Sequence, residues 1–303
     1  MGDHATQTKG RIVKVKLGMV VADSPARAKL GGFLQQRTHG KGCPYCLFDL
    51  DDLGKIPPPS PAMRTSAHQQ QSLACKSVEG NRRYRELGVR YSILHELPYF
   101  SMPTMCPPDY MHAIHLGLCR RFFHDFLILG CKNIGNQLED LFKVINGAHL
   151  PSTAKRPDHR IGKPGGGTPN AEQWLTLFRH QLLFGLMTIW AKSLAGSKQH
   201  YLDFQPEAVS QRRPVLFGNK PVEDVFEAAV LLTAIVDLME KQEFTERDIA
   251  RLKEFIDRFN RQQANLLGPG WLTYNSHIAE HIPEFIRRYG SRKYHFPRSF
   301  ERR

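Results

Sequence analysis

Two groups of residues in this 303-residue chain have the types and spacing to do chemistry. Cys43 and Cys46 form a C-x-x-C, and thiolates at that spacing bite a single tetrahedral ion. Further on, the stretch CPPDYMHAIHLGLCRR carries Asp109, His112 and His115 at spacings of three. Residues i and i+3 share a helix face, so a carboxylate and two imidazoles can converge there. Asp109 has a plainer reading as a helix N-cap followed by two ordinary histidines. For the thiolate pair, zinc is completed by Asp109 with His112, or by His112 with Cys106 or His115. The competing reading is a pair of buried, reduced cysteines, while a thioredoxin-type redox motif lacks its βαβ surroundings. His277 and His281 stand at i, i+4 near the end of the chain. Without the Glu of an H-E-x-x-H they read as packing or hydrogen-bonding residues.

The elements that would position these residues follow from periodicity. Ile12, Val13, Val15 and Leu17 alternate with lysines before the run turns wholly apolar, which predicts a strand ending at Asp23. Pro25 suits the first turn of a short helix that Gly31 and Gly32 stop. A knuckle follows over residues 42–48, and residues 49–71, with PPPSP and QQQ, read as a loop. From Asp109 onwards helices are expected, first a long amphipathic run, then residues 137–145, 171–195, 222–241 and 245–267. Thr245 with Asp248 three residues on resembles a capping box. A last helix covers the segment with His277 and His281. GKPGGGT has the wrong residue order for a phosphate loop.

Composition restricts the classes of function. Lysine and arginine number 42 against 29 acidic residues, a formal net charge of +13, which favours polyanionic partners, above all nucleic acid. The charge gathers in IRRYGSRKYHFPRSFERR, where Arg287, Arg288, Arg292, Lys293, Arg298, Arg302 and Arg303 alternate with aromatic rings. Such a segment pairs phosphate contacts with stacking surfaces for unpaired bases. No apolar run reaches the ~18 to 20 residues that span a bilayer, which argues against a membrane protein. Six cysteines in a chain of this size fit a reducing compartment better than a disulfide framework, and Cys75, Cys119 and Cys131 read as structural.

Five blocks, ADSPARAKLGGF, THGKGCPYC, PPDYMHAIHLGLCRRFF, TYNSHIAEHIPEFIRRYG and FPRSFERR, occur in that order between Arg11 and Arg303. Together they resemble eukaryotic DDE transposases of the CACTA (EnSpm) kind and their KDZ and Plavaka-type relatives. Those families carry a D-x-PA block, a C-x-x-C, a D-x-MH block, an N-x-H-x-x-x-H-x-P block and a closing F-P-F-E block. The resemblance implies a partial ribonuclease-H-like α/β core, predominantly helical because a large all-α insertion interrupts it. It divides the chain into a core segment over residues 1–48, a linker over 49–108, the insertion over 109–270 and a closing basic segment over 271–303.

The resemblance also implies roles. Asp23 takes the place of the second catalytic Asp and Glu301 that of the closing Glu, with Asp109 an alternative member of the metal-binding triad. Two Mg²⁺ or Mn²⁺ ions held by such carboxylates activate the attacking oxygen and stabilise the leaving oxygen of a phosphodiester. Asp109 and His112 occupy the D-x-x-H that opens the insertion. The family's first catalytic Asp has no counterpart here and FPRSFE replaces the tighter FPFE, so the expectation is a truncated, degenerate, inactive transposase. Nuclear localisation, DNA as partner and self-association as a homo-oligomer complete it. The alternative is a non-catalytic DNA-binding or protein-interaction module stabilised by zinc.

Overall fold

A computed structural model describes residues 13–34, 40–55, 61–65, 67–159, 161, 167–207 and 213–291. Helix α1 (Ser24–Leu30) forms as the sequence requires: the Asp23 side chain accepts from the Ala26 N–H at 2.8 Å, Pro25 occupies the first turn, and Gly31 ends the helix. Gly32 then adopts φ +68°, and a Cβ there would stand 2.6 Å from the Arg90 carbonyl oxygen. A turn this tight against another backbone leaves room only for glycine.

The strand expected before Asp23 does not form. Residues 13–23 have no sheet partner; Val20 makes a single backbone bond to Met105, and Val13 and Val15 stay exposed. Alternation makes a strand only where a neighbour takes up the ladder. The only named sheet among the described residues is the antiparallel pair β1 (Tyr201–Phe204) and β2 (Gly218–Pro221), with Tyr201 opposite Pro221. A ribonuclease-H-like sheet is therefore not found among the described residues, and the predominantly helical part of the expectation holds.

Short helices α2 (Ala67–Ala74), α3 (Val78–Tyr84) and α4 (Met102–Met105) lead into the helical body. There a wide helix of π pitch runs over Met111–Cys119 and again over Arg121–Gly130, burying Phe122, Phe123, Phe126 and Leu127. After it come α5 (Gly135–Gly147), α6 (Ala171–His180) and α7 (Leu182–Leu194). The single helix expected over 171–195 is broken at Gln181, whose Nε2 donates 2.6 Å to the Ile145 carbonyl and ties the break to α5. Helix α8 (Val222–Met239) packs along α7 and α9 (Glu246–Leu267), and the latter begins with the expected Thr245–Asp248 capping box. Burial of Ile249, Leu252, Ile256 and Phe259 at spacings of three and four turns one face of α9 to the core.

These helices share one large core around Trp174, Phe178, Trp190, Leu232 and Ile256. A second cluster gathers the 43–53 segment, Ala113 and Ala264 against α10 (Tyr274–Ala279) and α11 (Ile282–Tyr289). The last helix of the sequence reading is thus two: Pro283 starts α11, and the chain turns between them at Glu280 and His281. No helix of the described residues is long and apolar enough to cross a membrane.

Candidate metal centre

The turn between α10 and α11 decides the site. It sets His277 in the last turn of α10 and His281 immediately before α11, so both imidazoles point into the second cluster. The knuckle carrying Cys43 and Cys46 enters that cluster from the other end of the chain, held there because Arg64 donates to the Cys43 carbonyl at 2.8 Å and the Tyr45 hydroxyl donates to the Cys106 carbonyl at 3.1 Å.

Four ligand atoms meet there. Cys43 Sγ lies 3.4 Å from His281 Nε2, and Cys46 Sγ lies 3.2 Å from His277 Nε2 and 3.5 Å from His281 Nε2. The two Nε2 atoms are 3.3 Å apart, and all four ligand atoms fall within 4.8 Å of one another in full burial. Zinc at about 2.3 Å from sulfur and about 2.0 to 2.1 Å from nitrogen places tetrahedral S···N edges near 3.5 Å and N···N edges near 3.4 Å. The donor set and its spacing fit a structural Zn²⁺ site of the Cys₂His₂ type.

Electrostatics agree with a cation site. Burial opposes ionisation of Cys43, but the hydrogen bond from Cys46 and the charges of His281 and His277 hold its thiol well below the usual range. Cys46 moves the other way, raised by its hydrogen bond to Cys43 and by burial. Burial alone would lower His277, yet Cys43 and Glu280 push it up to about 10. The two shifts run in the directions that favour a thiolate at Cys43 facing a protonated His277.

The expected completion of this centre is corrected. Asp109 and His112 do not join Cys43 and Cys46; His112 Nδ1 pairs with Asp109 Oδ2, and the Asp109 carboxylate also accepts from the His112 N–H at 3.3 Å. Cys106 and His115 are not in the cluster either. The imidazoles that meet the two thiols are instead the i, i+4 histidines expected to be packing residues. Their H-x-x-x-H spacing, common in Cys₂His₂ sites, was the signal in the sequence.

The other candidate residues fall elsewhere. Asp23 and His112 line one cavity of about 440 Å³ together with Ser24, Leu116, Thr273 and Asn275. Asp109, nearly fully buried, stands behind His112 and is felt by the buried Arg27 guanidinium. Asp23, Asp109 and His112 do not gather into a cluster of three metal ligands among the described residues. Arg287 is committed to Glu246 and Glu284, and Arg288 reaches Glu284 at 3.5 Å. Arg292, Lys293, Arg298, Glu301, Arg302 and Arg303 lie outside the described residues. No family model, curated protein or solved structure matches the chain.

Proposed function

We propose that this chain is a transposase-derived, DNA-binding protein of the nucleus whose fold is closed by one structural zinc ion. The observation carrying the reading is that the C-x-x-C and the N-x-H-x-x-x-H blocks, far apart in sequence, supply one buried four-ligand centre. Convergence of Asp23, His112 and Asn275 on one cavity supports it further, because these residues belong to three different blocks of the resemblance. The ancestral reaction is metal-dependent DNA strand cleavage and transfer, and its degeneracy here is supported by Asp23, Asp109 and His112 forming no three-ligand cluster among the described residues.

Two measurements test the reading. Purified protein binds duplex DNA with affinity that falls steeply with salt, and with Mg²⁺ or Mn²⁺ it nicks DNA little. Robust nicking abolished by Asp23→Ala would overturn the degenerate assignment. A second reading, a protein-interaction module, is favoured by Phe184 and Met187, which are 65% and 50% exposed one turn apart on α7. Salt-insensitive self-association in place of DNA binding would select it.

A further inference from the structure

Two residues outside the four candidate ligands, Glu280 and Asn260, stand in line behind His277. His277 is held on three sides. Its Nε2 faces Cys46, its ring lies on Phe48 with centroids 4.3 Å apart and planes at 16°, and its Nδ1 stands 3.3 Å from Glu280 Oε2. No hydrogen bond is aligned on that Nδ1, which is buried. Once Nε2 ligates a metal, a neutral imidazole must carry its proton on Nδ1, and a buried N–H requires an acceptor.

Glu280 is itself placed by Asn260 of α9. Asn260 Nδ2 donates at 3.0 Å to Glu280 Oε1 and at 3.0 Å to the Ser276 carbonyl. Both partners are acceptors, which fixes the orientation of the amide. Its Oδ1 is left buried with no hydrogen-bond partner, so the side chain gives its acceptor nothing in order to aim both donors at α10 and Glu280. A buried amide arranged at that cost needs a reason.

We infer that Asn260 and Glu280 form a positioning relay for the metal centre: Asn260 orients the Glu280 carboxylate, and Glu280 accepts the Nδ1 proton of His277, fixing that histidine's tautomer and ring angle for the metal. The relay rests on the zinc reading above and couples the centre to α9, the longest helix of the body. Glu280 also lines a cavity of about 360 Å³ with Phe48, Lys55 and Arg261, so the relay is open to solvent ions on one side. His281 has no carboxylate in the corresponding place among the described residues, which makes the two histidines unequal ligands.

The test uses the full chain and the metal alone. Zinc affinity is measured by competition with a chromogenic chelator, and the ligand field by the absorption of the Co²⁺-substituted protein. Glu280→Ala is expected to weaken metal affinity 10- to 100-fold and to shift the Co²⁺ bands, with Glu280→Gln intermediate because it keeps an acceptor. Asn260→Ala weakens affinity in the same direction, and the double variant is no worse than Glu280→Ala alone. The shift of the Co²⁺ bands is the readout that a merely structural role would not move. Wild-type protein that binds no zinc overturns the parent reading and the relay with it. Wild-type protein that binds zinc as tightly as Glu280→Ala, with identical Co²⁺ spectra, overturns the relay alone.

Discussion

Cys46 and His277 are separated by 231 positions in the chain, and their ligand atoms lie 3.2 Å apart. Cys43 and His281 make the matching contact across 238 positions. Any ion held here therefore clasps both ends of the described chain around the entire helical body.

Removing a ligand should expose that clasp. Cys43→Ser is expected to lose bound zinc, measured by elemental analysis of the purified protein, and His277→Ala to do the same. An ion present at about 1,000 times its dissociation constant stabilises by about 4 kcal/mol, so chelation should lower the urea midpoint of the wild type far more than that of either variant. Equal midpoints with and without chelator in the wild type would count against the centre.

Acid should destabilise the region around α2 by a separate route. His68 donates from Nε2 to the Gly31 carbonyl at 3.0 Å, leaving its buried Nδ1 unpartnered, and His95 has no hydrogen-bond partner on either ring nitrogen. Burial lowers His68 to about 3 and His95 to about 4. In the unfolded chain both take up a proton near pH 6.5, whereas the folded chain refuses it down to those lower values. Unfolded protein binds more protons in that window, so stability is full above about pH 6.5 and falls below it, by about 1.4 kcal/mol per pH unit per histidine. Denaturation of His95→Phe across pH 4 to 7 should show a shallower acid limb; an unchanged slope would remove His95 as a cause.

A buried cation next to the knuckle carries another expectation. Arg27 is 2% exposed, donates to the Pro107 carbonyl at 3.3 Å and lies 5.7 Å from the centre of the Tyr45 ring. Burial opposes its charge, but Tyr45, Tyr274, Cys106 and Asp109 more than restore it. Arg27→Ala leaves the buried Pro107 carbonyl without its donor, while Asp109 keeps His112 as partner, and should cost about 1 to 3 kcal/mol. Arg27→Ala in an Asp109→Asn background should cost less, measurable as a double-mutant cycle in urea.

Gly117 permits the contact between the wide helix and α10. A Cβ there would meet Asn275 Nδ2 at 2.6 Å and the His112 carbonyl oxygen at 2.7 Å. Gly117→Ala is expected to destabilise by about 1 to 3 kcal/mol despite its better helix propensity. A thermal melt at or above the wild-type value would show that the helices separate without penalty.

For DNA binding, the arginines are not equivalent. Arg287 donates to Glu246 at 3.0 Å and to Glu284 at 2.8 Å, so its charge is already matched on the surface. Arg287→Ala should change the slope of binding against salt by much less than one counterion, whereas neutralising Arg298, Arg302 and Arg303 together should reduce it by about 0.9 for each phosphate left without its cation. Equal slopes for the two variants would argue that the tail does not touch DNA.

The sequence carried the helices well and the centre only in part. Thr245 with Asp248 and Asp23 with Pro25 announce α9 and α1 because their caps are local chemistry. Gln181 could not be read as a break, since what interrupts α6 and α7 is a hydrogen bond to Ile145, 36 positions earlier. The strand over 12–22 failed for a related reason: its alternation is genuine, but no neighbouring strand comes to it among the described residues. In the site, the C-x-x-C was legible and its partners were not. His277 and His281 lack the Glu of an H-E-x-x-H and so read as packing residues, and only the turn at Glu280 brings them to the thiols.

That turn gives synthesis an order. Cys43 and Cys46 leave the ribosome first, and at ~5 to 20 residues per second their partners follow roughly 10 to 50 s later, across the 231 positions that separate Cys46 from His277. The helical body has time to fold while the thiols wait unmatched, and a chain cut short before His277 never satisfies them. A four-ligand centre of this kind can close only in molecules made beyond α10, as far as His281.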